Sequence, residues 1–138
     1  MSQIKQFLRD HSISEVEAIV ADMAGVARGK IMPAEKYAED EGMRLPESIF
    51  LHAVTGEFPE HDTAINPSER DIELIGDPNS IRVVPWAPEP TAQVIHDCFY
   101  DDGRVVPMSP RYVLRRVIEL YAARGWEPVV APELEFFL

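Results

Sequence analysis

The sequence predicts an α+β fold in which a β-rich segment is followed by one helix and one further strand. Short runs that favour strands, separated by turn signals such as Asp101-Asp102-Gly103, occupy most of residues 1–107. A helix start follows at Ser109-Pro110, and residues 126–138 form an apolar run typical of a strand. This change of pattern divides the chain into residues 1–107 and residues 108–138.

The first part begins with a predicted helix, a hairpin and a second helix. Ser2 can cap a short helix, because apolar residues follow it at helical spacing. Residues 16–22 and 26–33 are predicted to form the strands of a hairpin around a glycine turn. Residues 34–41 have the composition of a short polar helix, which we expect to end at Gly42.

Residues 44–70 follow as a long segment with little periodicity and several prolines. A loop of this length in a compact domain is usually functional or disordered. Its apolar run, Ile49-Phe50-Leu51, should pack on something. We therefore expect an ordered loop that completes its packing against a partner.

The second half is predicted to contain short strands, then a helix and a last strand. The short strands are residues 71–75, 81–85, 91–100 and 104–106. The helix from Ser109 has one apolar face and should end at Gly125, before the strand of residues 126–138. The apolar face comprises Val113, Leu114, Val117, Ile118 and Tyr121.

The charge of the chain limits its partners. Its 24 acidic and 13 basic residues give a net charge of −11, which disfavours nucleic acid and anionic membranes as partners. The same charge is compatible with cationic substrates, although solubility alone would explain it.

Cys98 is the one cysteine, so no internal disulfide can form. With no signal-peptide pattern or membrane-spanning run in the sequence, we expect a cytoplasmic protein.

Glu133 and Glu135 are the candidate metal ligands. On a strand, residues two apart share a face, so these carboxylates would lie side by side within an apolar run. Paired carboxylates are costly to bury unless a cation lies opposite, and oxygen ligands suit Mg²⁺ or Mn²⁺. The alternative is an exposed edge strand with two ordinary acids.

Other candidate sites have a simpler structural interpretation. Residues 22–30 contain glycines and basic residues, but they lack the spacing of a phosphate-binding loop and are better explained as a hairpin turn. The four histidines show no metal-like spacing, and His96 is interpreted as a paired or surface residue. Cys98 has no visible base partner and is interpreted as a buried structural thiol.

Four segments, in order, resemble the glutamine synthetase superfamily. They are Asp22-x-x-Gly25-x-x-Arg28-Gly29-Lys30-x-x-Pro33; Asp77-Pro78-Asn79-Ser80-Ile81-Arg82 with Pro85-Trp86; Asp102-Gly103 with Ser109-Pro110-Arg111-x-Val113-Leu114; and Pro132-Glu133-Leu134-Glu135-Phe136-Phe137. The resemblance is closest to the γ-glutamylpolyamine (glutamylputrescine) synthetases.

The resemblance implies a β-grasp N-terminal domain in residues 1–107 and the first helix and strand of a larger catalytic domain in residues 108–138. Enzymes of this family use ATP and Mg²⁺ or Mn²⁺ to phosphorylate glutamate, and an amine then attacks the acyl phosphate. Carried over, Glu133 and Glu135 would each ligate one metal ion. Most other contacts to metal, ATP and glutamate would lie beyond Leu138, so the chain alone should be inactive.

The resemblance also implies a homo-oligomeric ring in which one subunit's N-terminal domain completes its neighbour's active site. Ammonia-using members carry an aspartate in the loop of residues 44–70, whereas Ala53 occupies the closest matching position here. This favours a ligase for glutamate and a polyamine. The alternatives are a conventional glutamine synthetase that uses ammonia, and a non-catalytic β-grasp interaction module.

Overall fold

A computed structural model of the chain describes residues 2–58 and 70–138. The helices are α1 (Gln3–Asp10), α2 (Ala34–Asp40) and α3 (Pro110–Ala122). The strands are β1 (Glu15–Ala21), β2 (Ala27–Pro33), β3 (Gly42–Pro46), β4 (Asp71–Gly76), β5 (Arg82–Val83) and β6 (Thr91–Phe99). Two short 3-10 turns cover Glu47–Leu51 and Pro78–Ser80.

The six strands form one mixed sheet with β6 at its centre. The order is β2-β1-β6-β4-β3, and β5 pairs with β6 beside β4. The central β1–β6 pair is parallel and starts at Glu15 opposite Thr91, while the other pairs are antiparallel. The first half of β6 pairs with β1 and β5, and its second half pairs with β4.

Alternating residues of the central strands build the core. In β6, Ala92, Val94, His96 and Cys98 are buried, and the residues between them are partly exposed. This is the period-two pattern of a strand with one face on the core. Helices α1 and α2 add side chains to the same apolar cluster, among them Ile4, Leu8 and Tyr37. Burial of this apolar surface is the main stabilising term of the fold.

The predicted start of the chain is confirmed. The Ser2 hydroxyl accepts a hydrogen bond from the Lys5 backbone N–H at 3.2 Å, as an N-cap does. Strands β1 and β2 form the predicted hairpin. Helix α2 differs at its end, because Glu41 takes the left-handed conformation with φ +53° and Gly42 already begins β3.

The prediction for residues 44–70 is partly wrong. Its first residues belong to β3, and the 3-10 turn after β3 buries Ile49 and Phe50 in the core of this chain. The apolar run therefore packs without a partner, because β3 pairs with β4 and delivers it to the core. The part of the predicted loop in residues 59–69 lies outside the described residues.

Two predicted strands are shorter than expected. Residues 81–85 contribute only Arg82 and Val83 to the sheet, as β5. Residues 104–106 form a single bridge, between Val105 and Phe99. Strand β6 is as predicted to within one residue.

The prediction of a strand in residues 126–138 is wrong. The helix α3 begins at Pro110 as expected and is followed by Gly125 at φ +71°, but the residues after it have no regular secondary structure and are exposed. A strand needs a neighbour for its backbone hydrogen bonds, and no described strand lies beside this segment. The apolar face of α3 is also exposed. Among the described residues, no helix has the length and hydropathy required to cross a membrane.

Candidate functional site

The structure places Glu133 and Glu135 on the exposed segment after α3. Their carboxylate oxygens are the donors that Mg²⁺ and Mn²⁺ prefer, so the donor chemistry fits a hard cation. Within residues 2–58 and 70–138, however, no three His, Cys, Asp or Glu side chains cluster as metal ligands do. The described residues thus offer these two carboxylates without bringing a third ligand to them.

The hairpin turn between β1 and β2 is organised by Asp22. This carboxylate is buried, and its Oδ1 accepts hydrogen bonds from the backbone N–H groups of Ala24 at 2.9 Å and Val26 at 2.8 Å. Its Oδ2 accepts from Arg28 Nε at 2.8 Å. The turn closes through Gly25, whose φ of +78° suits a residue without a Cβ.

Burial by itself would raise the pKa of Asp22, but the hydrogen bonds from Arg28 and the two backbone N–H groups outweigh it and lower that pKa. Asp22 is therefore ionised at neutral pH. Since the N–H groups of Ala24 and Val26 already bond to this carboxylate, they are not open to a phosphate. This confirms the interpretation of residues 22–30 as a hairpin with charged neighbours.

A small closed turn, residues 53–57, lies where the resemblance places the amine-binding loop. The Ala53 N–H donates to the Glu57 carbonyl at 2.9 Å, and the Gly56 N–H donates to the Ala53 carbonyl at 2.9 Å. The Val54 side chain at its tip is 72% exposed. We call residues 52–58 the Ala53 loop. The His52 ring at its start packs against the Phe58 ring at its end, with 4.4 Å between centroids.

The Ala53 loop is joined to the hairpin through Arg28. While its Nε donates to Asp22, its Nη2 donates to the Ala53 carbonyl at 3.3 Å. Sequence analysis placed Arg28 only in a hairpin motif and missed this contact. The available signal was the pairing of Asp22 and Arg28 around one turn, which leaves part of a guanidinium free to reach elsewhere.

A second buried carboxylate, Glu47, lies at the start of the 3-10 turn that precedes the Ala53 loop. Its Oε1 accepts from the Tyr100 hydroxyl at 2.6 Å and its Oε2 from Arg70 Nε at 2.9 Å. The Arg70 guanidinium also lies 3.9 Å from the centroid of the Tyr100 ring. Burial acts to raise the pKa of Glu47, but the hydrogen bonds from Arg70 and Tyr100 and the charge of Arg70 outweigh it and lower that pKa.

His96 and Cys98 are structural, as expected. His96 is fully buried; its Nδ1 lies 3.1 Å from the Ile19 carbonyl and its Nε2 lies 2.9 Å from the Tyr37 hydroxyl. Because a carbonyl only accepts, Nδ1 donates to it and Nε2 accepts from Tyr37. Burial lowers the pKa of His96 and raises the pKa of Cys98 to about 11, so the first stays neutral and the second stays a thiol.

Four charged side chains attach α3 to the sheet. Arg111 bonds to Asp77 and, through Nε at 2.9 Å, to Asp97, while Arg115 Nη2 lies 2.6 Å from Asp97. We call Asp77, Asp97, Arg111 and Arg115 the α3 ion network. It brings together two segments on which the family resemblance depends, the one that starts at Asp77 and the one that contains Arg111.

Comparisons with known proteins agree with this resemblance. The family model described as glutamine synthetase, catalytic domain, matches residues 107–138. A glutamate–isopropylamine ligase from Pseudomonas sp. is 32% identical over 99% of this chain. The γ-glutamylputrescine synthetase PuuA of Escherichia coli is 28% identical over 99% of it, and a glutamine synthetase of Methanosarcina mazei is 26% identical over 98%. The chain belongs to the glutamine synthetase superfamily.

Within this superfamily, the chain lies near the γ-glutamylamine synthetases. It covers 30% of the Pseudomonas ligase and 29% of each of the other two proteins, so it spans about a third of the length of the curated relatives it matches. A solved structure of GmaS in complex with ADP superposes on 90% of this chain with a TM-score of 0.71 and 25% identity, and the match covers 26% of GmaS. The mixed α/β fold is therefore a glutamine synthetase-like one.

Proposed function

We propose that this chain is the N-terminal part of an ATP-dependent ligase that joins glutamate to a polyamine through a γ-glutamyl phosphate. In this proposal residues 1–107 are a β-grasp domain and residues 108–138 begin the catalytic domain. The observation that carries the choice of amine is Ala53, at the position where ammonia-using members have an aspartate. Residue 53 of the closed turn therefore carries no carboxylate in this chain.

Three further observations support the proposal that the acceptor is a polyamine. A net charge of −11 favours the approach of a polycation. Glu57, at the end of the closed turn, is a carboxylate that a second ammonium group could approach from solvent. The named substrates of two relatives, isopropylamine and putrescine, are amines larger than ammonia.

Glu133 and Glu135 are proposed to hold the metal ions, Mg²⁺ or Mn²⁺. When bound, such ions neutralise charge on the phosphoryl group that ATP transfers to glutamate. Two carboxylates alone are a weak site for these ions, so the remaining ligands have to come from outside the described residues. For the same reason we expect no turnover of ATP with glutamate by the 138-residue chain alone.

The same proposal includes a homo-oligomeric ring and a cytoplasmic location. The exposed apolar face of α3 and the exposed segment after it offer surface for packing against further protein. A single buried thiol and no disulfide suit a reducing compartment.

The proposal is tested by phosphate release from the full-length gene product with ATP, Mg²⁺ and glutamate. Ammonia, putrescine, spermidine and spermine are compared as acceptors. We expect release that depends on a polyamine and is well above the rate with ammonia. Release with ammonia alone would instead identify a conventional glutamine synthetase, which the Methanosarcina relative supports as the second candidate. Release with none of them would favour the non-catalytic module.

A substitution in the Ala53 loop sharpens this test. Ala53→Asp restores a carboxylate at the matching position, so we expect the ratio of ammonia-dependent to polyamine-dependent release to rise about tenfold or more. Val54→Asp is the control, because it adds the same charge one residue further along, at an exposed tip. An equal effect of both variants would mean that charge near the loop, and not the position of Ala53, determines the amine.

A further inference from the structure

Arg28 connects two parts of the chain that are otherwise separate. Among residues 2–58 and 70–138, its Nη2 makes the only hydrogen bond between the β1–β2 hairpin and the Ala53 loop, to the Ala53 carbonyl at 3.3 Å. The two residues are separated by 25 positions in the sequence. The position of the loop relative to the sheet thus depends on where this guanidinium points.

The direction of the guanidinium is determined by Asp22. A guanidinium is planar, so a bond at Nε fixes the plane in which the two terminal nitrogens lie. Arg28 Nε donates to Asp22 Oδ2 at 2.8 Å, and Asp22 is itself held by two backbone N–H groups of the turn. The Asp22 side chain is fully buried and the Arg28 side chain is 24% exposed, so solvent only partly screens the pair.

The acceptor of the second bond is the carbonyl that also closes the loop. The Ala53 oxygen accepts from the Gly56 N–H at 2.9 Å as well as from Arg28. A carbonyl oxygen has two lone pairs, so both bonds can form at once. Arg28 therefore contacts the loop at the residue that we propose to distinguish polyamines from ammonia.

We propose that Arg28 is a positioning residue that fixes the Ala53 loop against the hairpin and thereby determines the affinity for the amine. The consequence for the amine rests on the proposed function, whereas the structural link does not. Lysine cannot replace arginine here, because its single ammonium group is a point charge and cannot bond Asp22 and the Ala53 carbonyl in the same fork geometry. Arg28→Lys should keep the ion pair with Asp22 and lose the loop contact.

The structural link is tested by hydrogen exchange on the chain described above. In Arg28→Lys, the amides of residues 53–57 should exchange about three- to tenfold faster, as expected for the loss of one partly exposed charge-assisted hydrogen bond. Arg9→Lys is the matched control, since Arg9 lies on α1 and makes no side-chain bond to the loop. Unchanged exchange in the loop would overturn the proposal.

Asp22→Asn provides a second variant that does not touch the loop. It keeps the acceptor for the turn N–H groups but weakens the bond that orients Arg28, so the Ala53 loop should again exchange faster. Protection of β6 amides shows in the same experiment whether the sheet of each variant is intact. Faster exchange across β6 and the loop together would show general destabilisation and would contradict a specific role of Arg28.

The consequence for the amine is tested in the full-length gene product. We expect Arg28→Lys to raise the KM for the polyamine about three- to tenfold, with kcat within about twofold and the KM for glutamate unchanged. A general loss of active enzyme would lower kcat and leave KM unchanged, and it would overturn this role. If the unmodified enzyme shows no polyamine-dependent release, the proposed function fails, and the exchange experiment still decides whether Arg28 positions the loop.

Discussion

Buried carboxylates are the residues that hold the irregular parts of this chain. Asp22 organises the hairpin turn, and Glu47 joins the 3-10 turn after β3 to Tyr100 and Arg70. Each accepts hydrogen bonds from N–H or O–H groups, which stabilise its negative charge, whereas the apolar core around it offers no such bonds. Because a buried charge without such partners costs several kcal/mol, these contacts determine which loop conformation is tolerated.

Replacing Glu47 by glutamine should reduce both stability and its dependence on pH. The pKa of Glu47 is lowered in the folded state from its ordinary value of 4.5, so its contribution is complete above that value and is lost as pH falls through the folded pKa. We expect Glu47→Gln to cost about 1–3 kcal/mol at pH 7 and less at pH 3. Urea unfolding at several pH values measures this.

The control for this experiment is Glu73→Gln, at an exposed carboxylate on β4. It should change the free energy of unfolding by less than about 0.5 kcal/mol at either pH. A loss in Glu47→Gln that is the same at pH 3 and pH 7 would show that packing, and not the charge of Glu47, is responsible.

At the scale of elements, α3 is attached to the sheet by charges. None of its side chains is buried, and its apolar face is exposed. Among the described residues, the α3 ion network holds the helix on the sheet. Each of its four side chains is at most half exposed to solvent. Since an isolated helix of about this length is marginal in water, α3 should depend on the network.

Removing the two arginines of the network should therefore release α3. In Arg111→Ala with Arg115→Ala, we expect the hydrogen-bonded amides of α3, residues 113–122, to exchange about tenfold faster or more, while β6 remains protected. Arg116→Ala is the control, because Arg116 pairs with Glu119 within the same helix and not with the sheet. If the control loosened α3 equally, helix propensity and not the network would be the cause.

At the scale of the whole molecule, part of the apolar surface is buried in the core and part is exposed to solvent. The core under β6 is closed by α1 and α2, whereas α3 and the segment after it expose large apolar side chains, among them Leu114, Trp126 and Phe136. An apolar segment without neighbours either associates, folds back on the sheet or stays poorly ordered. In the structure it does not fold back on the sheet, because its residues are exposed.

The purified 138-residue chain should therefore associate at high concentration through the exposed apolar residues of α3 and of the segment after it. An exposed apolar helix face of this kind is an association surface. We expect the mass measured by light scattering to rise with concentration, and Val117→Lys with Ile118→Lys to suppress the rise. Val54→Lys, which removes an apolar residue on the Ala53 loop that is more exposed than Val117 or Ile118, should leave the rise unchanged. A monomer at all concentrations would contradict this expectation.

Some parts of the fold were predictable because their causes are local. Asp22 and Gly25 specify the hairpin turn within a few residues, and Ser2 caps α1 by a bond to Lys5. The alternation of apolar and polar residues predicted β6 correctly, because one face of this strand lies on the core along its whole length. The same local pattern led to a wrong prediction for residues 126–138. Alternation and apolar content permit a strand, but they do not supply the neighbouring strand that its backbone needs.

The amino-acid sequence by itself determined the order of the helices and hairpin, the superfamily through its spaced motifs, and the glutamates proposed as metal ligands. Only the tertiary structure decided that Ile49 and Phe50 pack within this chain, that Arg28 reaches Ala53, and that Arg111 joins Asp77 to Asp97. The reason is that these contacts join residues far apart in the sequence. Local propensity and periodicity carry no information about which distant groups the folded backbone brings within hydrogen-bond distance.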